Sequence, residues 1–141
     1  MESAKKYNPQ AELQGVSVQE MIQNGRELIV GMTNDAQFGP GMILGLGGIF
    51  VEVLKDVAMR VPPLSADDAR EMIAALKGAA ILRGVRGQKP ADVDALANVL
   101  VNFSQLCLDL RDAVKEIDIN PLVVLDKGRG VKAVDCLIVP A

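Results

Sequence analysis

The chain has 141 residues, half of them apolar, and a formal net charge of −3. It contains no His, no Trp, one Tyr and three Phe. No catalytic triad, zinc site or haem site can therefore use an imidazole of this chain, and few aromatics on an acidic chain argue against a nucleic-acid surface, which needs cations and stacking platforms.

In chain order, residues 1–14 are polar, with a short helix expected over 3–7 and ended by Pro9. The segment VSVQEMI (16–22) alternates and carries β-branched residues, which predicts a strand. After a turn at QNGR (23–26), ELIVGMT (27–33) and MILGLGG (42–48) predict two more strands with a loop over NDAQFGPG, and IFVEVLKDVAMRV (49–61) reads as a strand-like run closed by Pro62-Pro63. Short strands joined by turns favour an antiparallel meander. Ser65 with Asp68 three positions on forms a weak capping box and opens a helix over 67–78, with Met72, Ile73 and Leu76 on one stripe and Gly78 at its end. A short helical turn is expected over 79–84, and RGVRGQK is a basic loop. Pro90 is suited to the first turn of the next helix, 91–110, in which Val93, Leu96, Ala97, Leu100 and Phe103 recur at helical spacing. EIDINPLVVLD and VKAVDCLIV, joined by KGRG, read as a β-hairpin. The order of meander, helices and hairpin predicts an α+β fold, mainly antiparallel sheet with two or three helices packed on one side.

No segment reaches membrane-spanning length: the longest uncharged stretch, 36–51, carries five Gly and a Pro. The N-terminus is polar and reads as no signal peptide. Cys107 and Cys136 form no CxxC pair and no framework, which points to a reducing, cytoplasmic setting.

Centring the hairpin between Lys127 and Gly128 pairs residues whose numbers sum to 255, so Asn120 faces Asp135 and Asp118 faces Leu137. Alternation then gathers Asp118, Asn120 and Asp135 on one face, with Leu122, Val124 and Ala133 as apolar same-face neighbours. Three oxygen donors beside an apolar wall suit a hard cation such as Mg²⁺, with phosphates and water completing the shell. Asp118 and Asn120 merely ending a strand is the other reading of the same residues. Gly47 and Gly48, within GLGG, would let backbone N–H groups approach phosphate oxygens, or serve only a bulge or tight packing. Glu20 and Glu27 stand at strand-like positions from which a carboxylate could accept from a ribose or an exocyclic amine, or simply face solvent. Lys55, Arg60, Arg83 and Arg86 read by default as solvated charges, and Met21, Met32, Met42, Met59 and Met72 as core filler.

Taken together, VSVQEM, RELIVGMTNDAQFGPGMILGLGGIFVEVLKDVAMRVPPLS, LRGVRG, EIDINPLVV and VKAVDCLI resemble, in order, the ATP-grasp region of the nucleoside-diphosphate-forming acyl-CoA synthetases. These are relatives of the succinyl-CoA synthetase β subunit and include acetate–CoA ligases and feruloyl-CoA synthetases. The resemblance covers about 11–139 and implies the C-terminal ATP-grasp lobe, with 1–14 as the tail of a preceding lobe or a linker. It implies an acid–thiol ligase reaction in which acid, CoA and ATP give acyl-CoA, ADP and phosphate through a phosphohistidine relay. On this likeness Glu20 and Met21 lie along the adenine, Glu27 meets the ribose, Gly47 and Gly48 line the phosphate region, and Asn120 and Asp135, with Asp118, hold Mg²⁺. No residue of this chain is expected to be a covalent catalyst, since it has no His to phosphorylate.

The expected ligands are ATP or ADP and magnesium, with CoA and the acyl substrate reached through other domains or subunits, and no nucleic acid or membrane partner. The likeness further implies that the first lobe, the CoA-binding domain and the phosphohistidine domain lie outside these residues, so that the isolated chain is inactive. The contrasting reading is a non-catalytic ATP-grasp-like module that assembles, as a homo-oligomer among other forms, through the apolar surface its companion would cover.

Overall fold

The centre of the molecule is the strand whose apolar residues alternate most regularly. In a computed structural model, which describes residues 2–48, 56–85 and 87–141, this is β1 (Arg26–Asp35). Leu28, Val30 and Met32 point to one side and are fully or almost fully buried. On one flank β1 pairs antiparallel with β2 (Gly39–Leu46), so that Leu28 faces Leu46, Val30 faces Leu44 and Met32 faces Met42. The connecting turn is tighter than the predicted loop. The Asp35 carboxylate accepts from the Gln37 and Phe38 N–H groups, which also holds its pKa below the usual carboxylate range.

β2 pairs in turn with β3 (Val57–Arg60), completing the meander. The first part of the predicted run 49–61 lies outside the described residues. On its other flank β1 pairs with β4 (Val114–Val124), the longest strand. The sheet runs β3-β2-β1-β4-β5, and β6 also pairs with β4. Here β5 is Val131–Ala133 and β6 is Cys136–Pro140, so one predicted strand is two, each held by its own half of β4.

Three helices and one 3₁₀ turn are described. α1 (Glu2–Tyr7) is exposed throughout and ends before Pro9, as expected. α2 (Ala66–Ala74) begins with the full capping box: the Ser65 hydroxyl accepts from the Asp68 N–H, and the Asp68 carboxylate accepts from the Ser65 N–H and hydroxyl. It stops short of the predicted 67–78 because the buried Asp56 carboxylate takes the Lys77 and Gly78 N–H groups at 2.8 Å each. Gly78 is needed there, since a Cβ would lie 2.2 Å from Leu46 Cδ1. A 3₁₀ turn follows at Ala79–Arg83.

α3 (Val93–Asp109) buries Leu96, Ala97, Leu100 and Phe103, the predicted stripe, with Val93 partly buried against it. Pro90 is not in its first turn. The chain is still extended at Ala91, which bridges to Asp126, and Asp92 caps the helix by accepting from the Ala95 N–H. Met32, Met42 and Met72 are core residues as expected, whereas Met21 and Met59 are exposed.

The helices cover one face of the sheet and build the core with it. Among the described residues no helix covers the other face, where Val57, Met59 and Leu137 are each more than half exposed.

The predicted strand 16–22 is absent: residues 11–23 form no strand or helix. An alternating segment needs a free sheet edge, and both edges of the following strand β1 are taken by β2 and β4. Val16, Val18 and Met21 are accordingly exposed.

Asp92 does more than cap α3. Its Oδ2 also accepts from the Gly128 N–H at 2.9 Å and the Gly130 N–H at 2.8 Å, fastening the β4–β5 turn to the helix. These N–H donors, Gly130 first, hold its pKa below the ordinary carboxylate value. The folded state thus favours the ionised form, so the stabilisation is complete above the ordinary carboxylate range and is lost as pH falls through the lowered value. Asp92→Asn is expected to lower the urea midpoint at pH 7. Midpoints of the two proteins measured down to pH 2 should converge; a constant gap would show that the charge on Asp92 contributes nothing.

Candidate functional site

The open face of the sheet carries two groups of the residues singled out in the sequence. The first is a row that crosses the strands. Glu27 in β1 pairs with Val123 in β4, and Val123 pairs with Lys132 in β5. Directly paired residues share a face, and Glu27 points away from the buried Leu28, so all three stand on the open side. At the β2 end the row continues to the glycines: the Gly47 N–H donates to the Glu27 carbonyl at 2.7 Å. A Cβ at Gly47 would lie 2.8 Å from the Glu27 carbonyl carbon and oxygen, so only glycine allows this approach. Gly48 has a φ of +64°, and a Cβ there would lie 3.6 Å from Glu27 Oε2.

At the β5 end the row reaches Glu20, whose Oε2 accepts from Lys132 Nζ at 2.7 Å. Gln19, Glu20 and Ile22 face Lys132, Ala133 and Val134 across a groove of about 340 Å³. Glu20, Glu27, Gly47 and Gly48, separated in sequence, therefore lie along one line. Met21 follows Glu20 with its side chain exposed. Val123 in the middle of the row is buried, and Gly25 packs closely on it: a Cβ at Gly25 would lie 2.0 Å from Val123 Cγ1.

The second group sits further along the strands. The predicted hairpin register is borne out: Leu122 faces Ala133, Ile119 faces Cys136 and Asp118 faces Leu137. Asn120 faces Asp135, its N–H donating to the Asp135 carbonyl at 3.1 Å. Asp118 also faces Gly31 on β1, which has no side chain to cover it. Gly31 is four residues beyond Glu27, about 13 Å at the rise of a strand, and Asn120 lies between the two rows.

The apolar wall expected around these residues is elsewhere. β4 bulges against β1 between the Leu28 and Val30 positions, where Asn120 and Pro121 together oppose one residue. The bulge reverses the alternation, so Leu122 and Val124 turn into the core and are buried, while Asp118 and Asn120 stay on the open face. Val123 takes their place there, and the apolar surface near the acids comes from Ile29, Ile43 and Leu137, on the odd-numbered face of their strands.

Among the described residues no three His, Cys, Asp or Glu side chains gather as a metal-holding group. Asp118 and Asp135 are two carboxylates with the Asn120 amide beside them. Asp135 Oδ1 accepts from the Cys136 N–H at 2.8 Å, and neither acid is paired with a cation among the described residues.

Two buried charged sites escape a sequence reading. Arg26, next to Glu27, pairs with Asp126 at 2.7 Å and donates to the Lys89 carbonyl, fixing the end of β1 to the loop before α3. Asp56 holds the turn after α2. Their partners are far away in sequence, and only an acid or a base next to a strand end hinted at them. Cys107 is buried and its thiol is pushed up to about 11 by that burial, whereas Cys136 is exposed; both are free thiols. No helix among the described residues is long and apolar enough to cross a membrane.

Comparison with known proteins gives this face a context. The model of the ATP-grasp domain matches residues 1–139. The chain is 49% identical over 138 residues to the β subunit of ADP-forming acetate–CoA ligase II of Pyrococcus furiosus, covering 98% of this chain and 58% of that subunit. It is 44% identical over 138 residues to the ADP-forming 4-hydroxybutyrate–CoA ligase of Nitrosopumilus maritimus, covering 98% of this chain and 20% of that protein. Among solved structures, the acetyl-coenzyme A synthetase 1 of Ca. Korarchaeum cryptofilum, in complex with coenzyme A and Mg-AMPPCP, superimposes with a TM-score of 0.80 at 40% identity, over 87% of this chain and 56% of that one. The chain thus spans little more than half of the Pyrococcus subunit it matches. With a matching fold, the motifs in order and a family model covering nearly every residue, this chain belongs to the ATP-grasp domain family.

Proposed function

We propose that this chain is the C-terminal ATP-grasp lobe of an ADP-forming acyl-CoA synthetase and binds MgATP or MgADP on the open face of its sheet. One observation carries the reading: Glu20, Glu27, Gly47 and Gly48 form a single row across that face, with Asp118, Asn120 and Asp135 beyond it on the same side. Along β1 the two groups are about 13 Å apart, from Glu27 to Gly31, a length that a nucleotide with its phosphate chain can span. Glu27 would accept from the ribose hydroxyls, Glu20 and Met21 would border the base, and the glycines would admit phosphate oxygens close to the backbone.

A divalent cation fits the second group. Two carboxylates and an amide are hard oxygen donors on β4 and on the link between β5 and β6, free of competing cations among the described residues, and they leave positions for phosphate oxygens and water. Magnesium, when bound there, would neutralise phosphate charge and orient the transferring group. Asp118 and Asp135 would hold it, with Asn120 completing the set.

Relatives with different acids in their names match this chain about equally well, 49% and 44%. A lobe shared among such ligases would serve nucleotide and metal, leaving the choice of acid to other parts of the enzyme. The uncovered apolar residues Val57, Met59 and Leu137 would then face a companion lobe closing over the nucleotide. The same residues favour a second reading, a non-catalytic module that assembles through this face, and nucleotide binding separates the two.

In the complete enzyme, isothermal titration is expected to show MgADP binding, and Glu27→Ala is expected to weaken it about tenfold or more, the loss of a hydrogen-bonded carboxylate. No binding by the complete wild-type enzyme would leave the assembly reading standing. An unchanged affinity in Glu27→Ala would remove Glu27 from the site.

A further inference from the structure

The nucleotide-facing linker, residues 12–23, is not held by the sheet. It forms no strand, and among the described residues a single hydrogen bond ties it to the rest of the chain, that from Lys132 Nζ to Glu20 Oε2 at 2.7 Å. Lys132 is well placed for this. It stands on β5, directly across from Val123, which stands across from Glu27. Gly25, where the linker meets β1, already packs on Val123. The linker is therefore gripped at its end by Gly25 on Val123 and at Glu20 by Lys132.

We infer that Lys132 is a positioning residue for nucleotide binding: its ammonium fixes Glu20, and with it the linker, over the row that contains Glu27. The inference rests on the nucleotide reading proposed above and adds to it a residue that need not touch the ligand. Both partners are substantially exposed, 45% for Lys132 and 68% for Glu20. A pair that wet contributes little to folding. Its effect lies in where the linker sits when the nucleotide arrives, so that less ordering remains to be done on binding.

The test uses the complete enzyme and follows MgADP by steady-state kinetics and by titration, with the thermal midpoint as a control. Lys132→Met is expected to raise KM and Kd for MgADP about three- to fivefold, the range open to an exposed ion pair. The kcat and the thermal midpoint should stay near wild type. Lys132→Arg should keep most of the affinity. Glu20→Gln should also weaken binding, and adding Lys132→Met to Glu20→Gln should cost little more. The Lys132→Met defect should shrink in high salt, because salt weakens the wild-type pair.

An unchanged KM and Kd in Lys132→Met, while Glu27→Ala weakens binding, would overturn the positioning role and leave the nucleotide site intact. An unchanged affinity in both variants would overturn the nucleotide reading and this inference together. A Lys132→Met defect that keeps its full size in the Glu20→Gln background would show that Lys132 acts without Glu20 and would also overturn it.

Discussion

Asp135→Ala in the complete enzyme is expected to lower kcat by about a hundredfold or more at a magnesium concentration that saturates the wild type, and Asp118→Ala to do nearly the same. The size follows from what each acid would supply. Removing one carboxylate from a set with only two leaves a cation with half its protein charge, at the point where phosphate charge must be offset. The two residues would also reach a cation from opposite sides, one within β4 and the other between β5 and β6, facing Asn120. The loss should be partly offset by raising magnesium, and the apparent magnesium affinity should fall with kcat. Stability should change little in Asp135→Ala, because its carboxylate makes a single described hydrogen bond, to the Cys136 N–H, on an exposed turn. Initial rates across a magnesium series, with circular dichroism to confirm the fold, decide the matter. Equal rates and equal magnesium dependence in both variants would mean that the hairpin holds no cation.

Gly47→Val is expected to give the second large effect, and on two measurements at once. The added Cβ would fall 2.8 Å from the Glu27 carbonyl carbon and oxygen and 2.9 Å from its Cβ. Those are backbone and stem atoms of the central strand, which cannot swing aside as a side-chain tip can. Either the end of β2 or the start of β1 must shift, at a cost of about 1–3 kcal/mol. The hydrogen bond from the Gly47 N–H to the Glu27 carbonyl goes with it. Glu27 would be displaced, so MgADP affinity should fall more than in Glu27→Ala. A contrast is available next door. Gly48 has space for a Cβ but a φ of +64°, so Gly48→Asn, which tolerates that conformation, should be nearly neutral in stability where Gly47→Val is not. Urea midpoints and MgADP titrations of the two variants test the pair. A Gly47→Val protein as stable as wild type and as tight for nucleotide would show that the close approach is unimportant.

The parts of this fold that could be read from the sequence are those whose causes are local. Ser65 and Asp68 stand three residues apart and cap the helix they precede. The KGRG turn fixes the register of its own hairpin, which is why the facing of Asp118 by Leu137 and of Asn120 by Asp135 could be read on paper. The rest depends on distant neighbours. Alternation predicts that Leu122 and Val124 share a face with Asp118, but a bulge against β1 reverses it, and nothing in EIDINPLVV announces a bulge except the proline. The segment 16–22 has the composition of a strand, but β1, the strand that follows it, already has β2 and β4 on its two sides. Asp92 reads as one acid among many near a helix start, and its bonds to Gly128 and Gly130 exist only because the hairpin turn comes to rest beside it. The row from Gly47 through Glu27 and Val123 to Lys132 and Glu20 likewise needs five segments in place before it exists.

The bulge at Asn120 and Pro121 divides the C-terminal hairpin into two cassettes that can be exchanged separately. Residues up to Ile119 move with β6, and residues from Leu122 on move with β5, each half keeping its own assignment of odd and even positions to the two faces. A chimaera between ATP-grasp relatives that joins the halves at Asn120–Pro121 preserves both assignments. Deleting one residue at the junction turns every side chain of one half over, sending Asp118 towards the core or Leu122 and Val124 into the open. The length of that one bend, more than the identity of the residues around it, keeps acids and core on opposite sides of a single strand.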